Sequence, residues 1–332
     1  MLRNVVKIVL VFTFVICISF TINAQSKTSL QWSTGGLGGG HYVLGSGIAE
    51  LVREIYPEID IKVVPGGGFA NPTRVNTGES EIALTTTGKD KLAFEGKYPY
   101  ETPHTNIRSI GASFGDIFIH VLVPKDSKIN VLDDIWKNKM KVRIGVAPVG
   151  SGDEQALRDI LAFYGYTFDD IKKWGGEVFF AGYADAVNLY KDRHIDLSYT
   201  HLSPSASAVI DMATSRPSKL IPLSEEVVRK LSEQYGFFPI ESQNTFILKE
   251  KYPDLAEKDI LTGGYGTQII VNKDVDEEVV YKITKTLCEN VDRLIQIIVS
   301  AKDFDPKLAW KFVTVPLHPG AERYYREMGY IK

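Results

Sequence analysis

The order of apolar and polar positions alternates between two periods along this chain. Leu30 to Ser33 reads as a short strand and Thr34 to Gly40 as a loop. Leu44, Ile48, Leu51, Val52 and Ile55 then fall at helical spacing until Pro57 closes the segment. Ile61 to Val64 is a second strand, and Pro65-Gly66-Gly67-Gly68 leads into a helix that ends near Gly78. Ile82 to Leu84 is a third short buried strand, followed directly by Thr85, Thr86 and Thr87. Strands alternating with helices predict a mainly parallel α/β sheet.

The register changes near residue 117, where Ile117 to Val123 forms a long apolar strand and a second series begins. Val142 to Val146 is a strand, and Pro148 to Asp153 is a loop opening a helix through Phe163, with Gly165 as its stop. Glu177 to Phe180 is a strand, Ala184 to Tyr190 a helix, and Ile195 to Tyr199 a strand followed by Thr200, His201 and Ser203. Gln268 to Val271 returns to strand, and a long helix runs from about Asp276 to Val299. With 332 residues, the expected architecture is two α/β lobes, each a mainly parallel sheet flanked by helices. The first lobe is discontinuous, built from 27–118 plus 248–332, and the second fills 119–247. Crossovers near residues 120 and 245 form the hinge.

The first residues add a compartment. Arg3 and Lys7 precede a nearly unbroken apolar run from Ile8 to Phe20, and Thr21-Ile22-Asn23-Ala24 ends on a small residue. That order predicts a secretory signal over 1–24, too short in its apolar part for the ~20 residues of a spanning helix. Its removal moves the formal charge from -3 to -5 and leaves Cys288 as the sole cysteine. An intramolecular disulfide is then excluded, and Cys288, on a helical apolar stripe, reads as a small buried side chain. A mildly acidic chain with no basic stripe excludes nucleic acid as a partner.

The glycine loop is the strongest chemical feature. Thr34-Gly35-Gly36-Leu37-Gly38-Gly39-Gly40-His41-Tyr42 stands between a strand and a helix, where backbone N–H groups approach a ligand closely. His41 stands where a Walker-type loop needs lysine, and G-x-G-x-x-G spacing fails at His41 and at Val43, so nucleotide phosphate is not indicated. Thr34, Gly35, Gly36, Gly39 and Tyr42 are the candidates there. Pro148-Val149-Gly150-Ser151-Gly152-Asp153-Glu154 is the counterpart in the second series, with Ser151, Gly152 and Asp153 as candidates. Ser151 and Glu154 have capping-box spacing, so the hydroxyl either caps the helix or faces a cleft, and the two roles are compatible. Thr85, Thr86 and Thr87, and Thr200 with His201, sit past strand ends, where open α/β sheets bind ligands. Each also has a plainer reading: Thr85 as an ordinary strand residue, His201 as a surface histidine. Phe180 would supply an apolar wall. No H-E-x-x-H or G-x-S-x-G occurs, and no nucleophile and base can be assembled, so neither a metal, a cofactor nor a catalytic site is expected.

Three strings carry a family resemblance. Thr34-Gly35-Gly36-Leu37-Gly38-Gly39 before His41-Tyr42 resembles the opening of the TAXI-type solute receptors of TRAP transporters. Ala147-Pro148-Val149-Gly150-Ser151-Gly152 is similar to their second-lobe loop, and His318-Pro319-Gly320-Ala321-Glu322-Arg323-Tyr324-Tyr325 to their C-terminal signature. The resemblance implies a two-lobed periplasmic-binding-protein fold that closes on an organic acid or amino acid, a glutamate-like one among them. It also implies a monomer that delivers its ligand to a membrane permease. Leu37 and Thr85-Thr86-Thr87-Gly88 depart from the family pattern, which leaves the ligand open. The competing readings are a clamshell receptor for an ATP-driven importer, a receptor presenting its ligand to a sensor kinase, and a secreted α/β enzyme.

Overall fold

The computed structural model describes residues 27–37, 39–240 and 245–332; the signal over 1–24 lies outside the described residues. Among the described residues eleven strands run in chain order: β1 (Thr28–Ser33), β2 (Ile59–Val64), β3 (Ile82–Thr86), β4 (Ile107–Pro124), β5 (Arg143–Val146), β6 (Glu177–Phe180), β7 (Leu197–Leu202), β8 (Ser218–Leu220), β9 (Phe246–Ile247), β10 (Ile260–Leu261) and β11 (Gly264–Asn272). Nine of them form one sheet in the order β2-β1-β3-β11-β4-β7-β5-β6, with β8 also on β4. β1 pairs in parallel with β2 and β3, and β5 with β6 and β7, so each end of the sheet is a parallel α/β unit. β4 and β11 run antiparallel between them.

The core is divided. Trp32, Ile48, Leu84, Ile110, Phe114, Ile269, Val280 and Tyr325 belong to one apolar cluster. Ile117, Val123, Trp136, Ile144, Leu157, Tyr199 and Tyr265 belong to another. The chain passes between them between Phe114 and Ile117 on β4 and between Tyr265 and Ile269 on β11. Both passages are irregular: Ser113 and Gly115 have φ of 70° and 107°, and the β4–β11 register shifts between Gly266 and Gln268. A residue without Cβ takes φ near 107° freely, which suits Gly115 to the bend.

The first passage thus lies close to the crossover expected near residue 120, whereas the second lies well beyond the one expected near residue 245. Ile247, Tyr252, Ala256 and Ile260 pack with Phe118, Leu122 and Tyr190, so the segment from 248 to 261 joins the second half. The 18-residue β4 carries Gly111-Ala112-Ser113-Phe114-Gly115-Asp116 at its middle, a stretch without period-2 alternation, and it pairs with β11 on both sides of the bend. The helix expected over 276–299 is also broken. It ends at Glu289, and a second helix spans Val291–Ile297. Asn290 makes the break: its side-chain amide donates to the Thr286 carbonyl at 2.8 Å, substituting for a backbone donor. Cys288 is only partly buried, at the edge of the first core, and burial pushes its thiol up to about 12.

The C-terminal string serves the scaffold. His318 caps the helix Pro319–Glu327, its Nδ1 accepting from the Gly320 N–H at 3.2 Å. Tyr325 donates its hydroxyl to the Ile110 carbonyl at 2.9 Å, bracing β4 just before the bend. No described helix is long and apolar enough to cross a membrane.

Candidate functional site

Between the two cores lies a cleft of about 660 Å³. Its walls come from the carboxyl ends of the parallel strands. Gly35 to Leu37 and Gly39 to His41 follow β1, Pro65 to Gly68 follow β2, and Thr86 and Lys89 end and follow β3. Opposite them, Ala147 to Asp153 follow β5, Gly182 to Asp185 follow β6, and His201 to Ser203 end and follow β7. Ile117 and Tyr265, on the two strands that join the halves, also line it. Parallel strands direct successive loops to one edge of the sheet, and two such edges here face each other.

Asn71 ties the first three loops together. Its side-chain amide donates to the carbonyls of Thr34 at 2.8 Å and Leu84 at 2.7 Å, while its Oδ1 accepts from the Gly67 N–H at 3.1 Å. Gly66 makes this packing possible: a Cβ there would lie 2.4 Å from Asn71 Oδ1 and 2.7 Å from the Thr34 carbonyl oxygen. Asn71 thereby bonds the glycine-rich turn after β2 to the start of the one after β1.

The second wall has a buried polar floor. Ser151 accepts from the Glu154 N–H at 3.1 Å and caps the helix Gly152–Phe163 while also lining the cleft, so both of its predicted roles coexist geometrically. Asp153, 5% exposed, accepts from the His201 N–H at 2.7 Å and from the Tyr183 hydroxyl at 3.0 Å. Burial raises its carboxyl to about 6, so it is largely ionised at neutral pH. His201 is wedged between the hydroxyls of Tyr265 at 2.8 Å and Tyr199 at 3.2 Å, and burial drives its pKa well down, leaving a neutral ring. Burial likewise holds the Tyr183, Tyr199 and Tyr265 phenols protonated.

Of the residues singled out in the sequence, Gly35, Gly36, Gly39, Thr86, Ser151, Gly152, Asp153 and His201 line the cleft. The others do not, for local reasons. Thr34 lies beneath its loop, its hydroxyl donating to the Val64 carbonyl at 3.1 Å. Thr85 and Thr200 belong to strands, not to the turns after them, and strand alternation points them away from the face that Thr86 and His201 present. Thr87 starts the helix Thr87–Glu95, and its carbonyl accepts from Thr314 Oγ1. Tyr42 sits on the helix Gly40–Ile55 off the lining, and Phe180 is 44% exposed, packed edge-on against Phe168. Sequence reading missed Lys89, Asn71 and Tyr265. Lys89 stands in the polar run Thr87-Gly88-Lys89-Asp90-Lys91, which gives no local sign of burial, yet it is 6% exposed. Among the described residues no group of three His, Cys, Asp or Glu side chains stands close enough to hold a metal ion.

Two half-sheets joined by two crossing strands, with strand-end loops facing over a cleft, make the periplasmic-binding-protein fold. Solved structures share it. Periplasmic binding protein BugD matches with a TM-score of 0.51 at 16% identity, over 91% of this chain and 97% of that one. A putative L-cystine ABC transporter from Listeria monocytogenes matches with a TM-score of 0.50 at 11% identity, over 84% of this chain and 99% of that one. The chain belongs to the NMT1-like family, whose model matches residues 32–329.

Proposed function

We propose that this protein is an extracytoplasmic solute receptor that closes two lobes on a small organic acid or amino acid and delivers it to a membrane permease. The observation that carries the reading is the convergence of the loops after β1, β2, β3, β5, β6 and β7 on one cleft spanned by β4 and β11. A cleft of about 660 Å³ suits a ligand of metabolite size. The lobes are the two core-bearing halves, and the bends at 113–117 and 265–269 are the hinge. Binding shifts the open–closed equilibrium because the ligand touches both walls only in the closed form. Export by the segment 1–24 puts the receptor outside the cytoplasm, and it acts as a monomer.

The resemblance of His318 to Tyr325 to the TAXI signature supports a TRAP-type permease as the recipient. The likeness to a putative L-cystine ABC transporter supports an ATP-driven one. Receptor-dependent uptake, taken as the difference between cells with and without the receptor and measured with an uncoupler and with ATP depletion separately, distinguishes the two.

Thermal unfolding of the mature protein, refolded to strip carried ligand, against amino acids and mono- and dicarboxylates tests the receptor reading. Ligand at about 100 times its Kd stabilises by ~2.7 kcal/mol. A selective shift with one compound supports the reading. A flat panel, with turnover of any compound in it, favours an enzyme.

A further inference from the structure

Tyr98 and Asp159 come from opposite halves and meet outside the cleft. Tyr98 follows the helix Thr87–Glu95 of the first half, and its hydroxyl donates at 3.2 Å to Asp159 Oδ1 on the helix Gly152–Phe163 of the second. Gln155, four residues earlier on that helix, donates its side-chain amide to the Tyr98 hydroxyl at 3.3 Å and to Asp159 Oδ1 at 2.8 Å. Tyr235, at the end of the helix Glu225–Tyr235, stands edge-on to Tyr98, with 6.1 Å between ring centroids and 71° between planes. None of Tyr98, Gln155 and Asp159 lines the cleft. Tyr98 belongs to no apolar cluster of its own half and is 61% exposed, so the lobe folds without it. Asp159 is only 3% exposed, and part of what covers it is the first half. The helix before Tyr98 starts at the hinge: a Cβ on Gly266 of β11 would lie 3.4 Å from Thr87 Cγ2. It rises about 12 Å before the chain reaches Tyr98, so the contact with Asp159 stands off from the hinge, where rotation of the lobes displaces it.

Resting on the receptor reading, we propose that Tyr98 and Asp159 form a latch between the lobes that stabilises the closed form without touching the ligand, and so sets how tightly the receptor holds its solute and how fast it releases it. The lobes are in contact here, Gly67 against Gly150 and Gly39 against Tyr183, and the latch belongs to that closed arrangement. Closing takes the Asp159 carboxyl group out of water, which costs free energy unless donors replace the water. Gln155 supplies a donor from the same helix in either form. Tyr98 supplies another only when the lobes are together. The Lys89 ammonium, on the helix Thr87–Glu95, attracts Asp159 in the same sense. What the latch adds, it adds to the closed form alone, so its removal moves the equilibrium towards the open form and lowers apparent affinity. The ligand then does not have to supply the whole driving force for closure.

The test removes one oxygen: Tyr98→Phe keeps the ring against Tyr235 and deletes the hydroxyl. A first measurement needs no ligand. Spin labels at Glu50→Cys and Lys191→Cys, exposed positions on opposite lobes, in a Cys288→Ser background, report the distance between the lobes of the refolded protein. The proposal expects the closed-to-open ratio to fall by about tenfold in Tyr98→Phe. Identical distance distributions overturn the latch. A second measurement titrates the refolded mature protein with L-glutamate, L-leucine, pyruvate and succinate. Any probe that binds the wild type should bind Tyr98→Phe about three- to tenfold more weakly, chiefly through faster dissociation. Unchanged affinity overturns the latch and leaves the receptor standing. In an Asp159→Leu background the hydroxyl has no acceptor, so Tyr98→Phe should have no further effect, and an equal loss there overturns the pairing. If Asp159→Leu does not fold, Asp159→Ala is read by the same criteria. Failure of every probe to bind the wild type counts against the receptor reading alone, and the ligand-free distances then decide the latch.

Discussion

Gly67 and Gly150 meet across the cleft: a methyl group placed on Gly67 would stand 3.2 Å from the Gly150 carbonyl oxygen. The turn after β2 and the turn after β5 thus touch, as do Gly39 and the Tyr183 ring, where a Cβ would come 3.2 Å from Cε2. Glycine at 67 is required by this close approach and not by backbone conformation, because its φ is not in the left-handed region. Gly67→Ala therefore leaves the fold intact and props the lobes apart. The expected result is a ligand affinity lower by about three- to tenfold, near 1 kcal/mol, with an unliganded melting temperature unchanged or slightly raised. Titration and melting of the variant check it together.

Thr86 and Ser151 separate binding from folding. The Thr86 hydroxyl lines the cleft and makes no hydrogen bond to a described residue, so Thr86→Val keeps the side-chain shape and removes only a group that faces the ligand. Its stability should match the wild type while affinity falls. Ser151→Ala also removes a helix cap and should cost about 1 kcal/mol of stability besides. Denaturant melts alongside titrations measure both. Unchanged affinity in Thr86→Val removes that hydroxyl from the site.

The strand-end loops were legible from the chain, because short apolar runs followed by Gly, Thr or Ser mark where parallel strands stop. The side of each strand was not. Thr85 and Thr86 are identical in type, and only the pleat decides that the second faces the cleft. Phe180 looked like a ligand wall, yet its ring rests on Phe168 outside the lining. Phe180→Ala should leave affinity unchanged. Lys89 was invisible for a different reason: its burial comes from the opposite half of the molecule, which no local pattern reports. The bend at 113–117 showed only as the change of register near residue 117, because Gly111 to Asp116 carries neither period and continues a strand on both sides, and the bend at 265–269 gave no such sign.

Acid stability should carry the mark of His120. The ring is fully buried, donates Nδ1–H to the Phe118 carbonyl at 3.0 Å and accepts from the Tyr252 hydroxyl at Nε2, 3.0 Å. Burial lowers its pKa from 6.5 to about 4. The unfolded chain therefore binds the proton first, and the stability from the neutral ring is full above pH ~6.5 and lost as pH falls towards 4, up to about 3 kcal/mol. Asp153 acts in the opposite sense. Its carboxyl is raised from 3.8 to about 6, so its protonated form stabilises the fold below about pH 4, and that contribution disappears as pH rises through 6. Urea unfolding of the wild type, His120→Gln and Asp153→Asn at pH 7 and pH 4.5 resolves them. His120→Gln should lose less stability on acidification than the wild type, and Asp153→Asn should lose more.

The central claim is that this cleft holds a small solute. Native mass spectrometry of the mature protein, purified without refolding from an extracytoplasmic compartment, tests it most directly. The account predicts one small molecule retained per chain, released by unfolding and retained less by Gly67→Ala. A protein that carries no small molecule as purified, and takes up none from the panel of acids and amino acids after refolding, contradicts it.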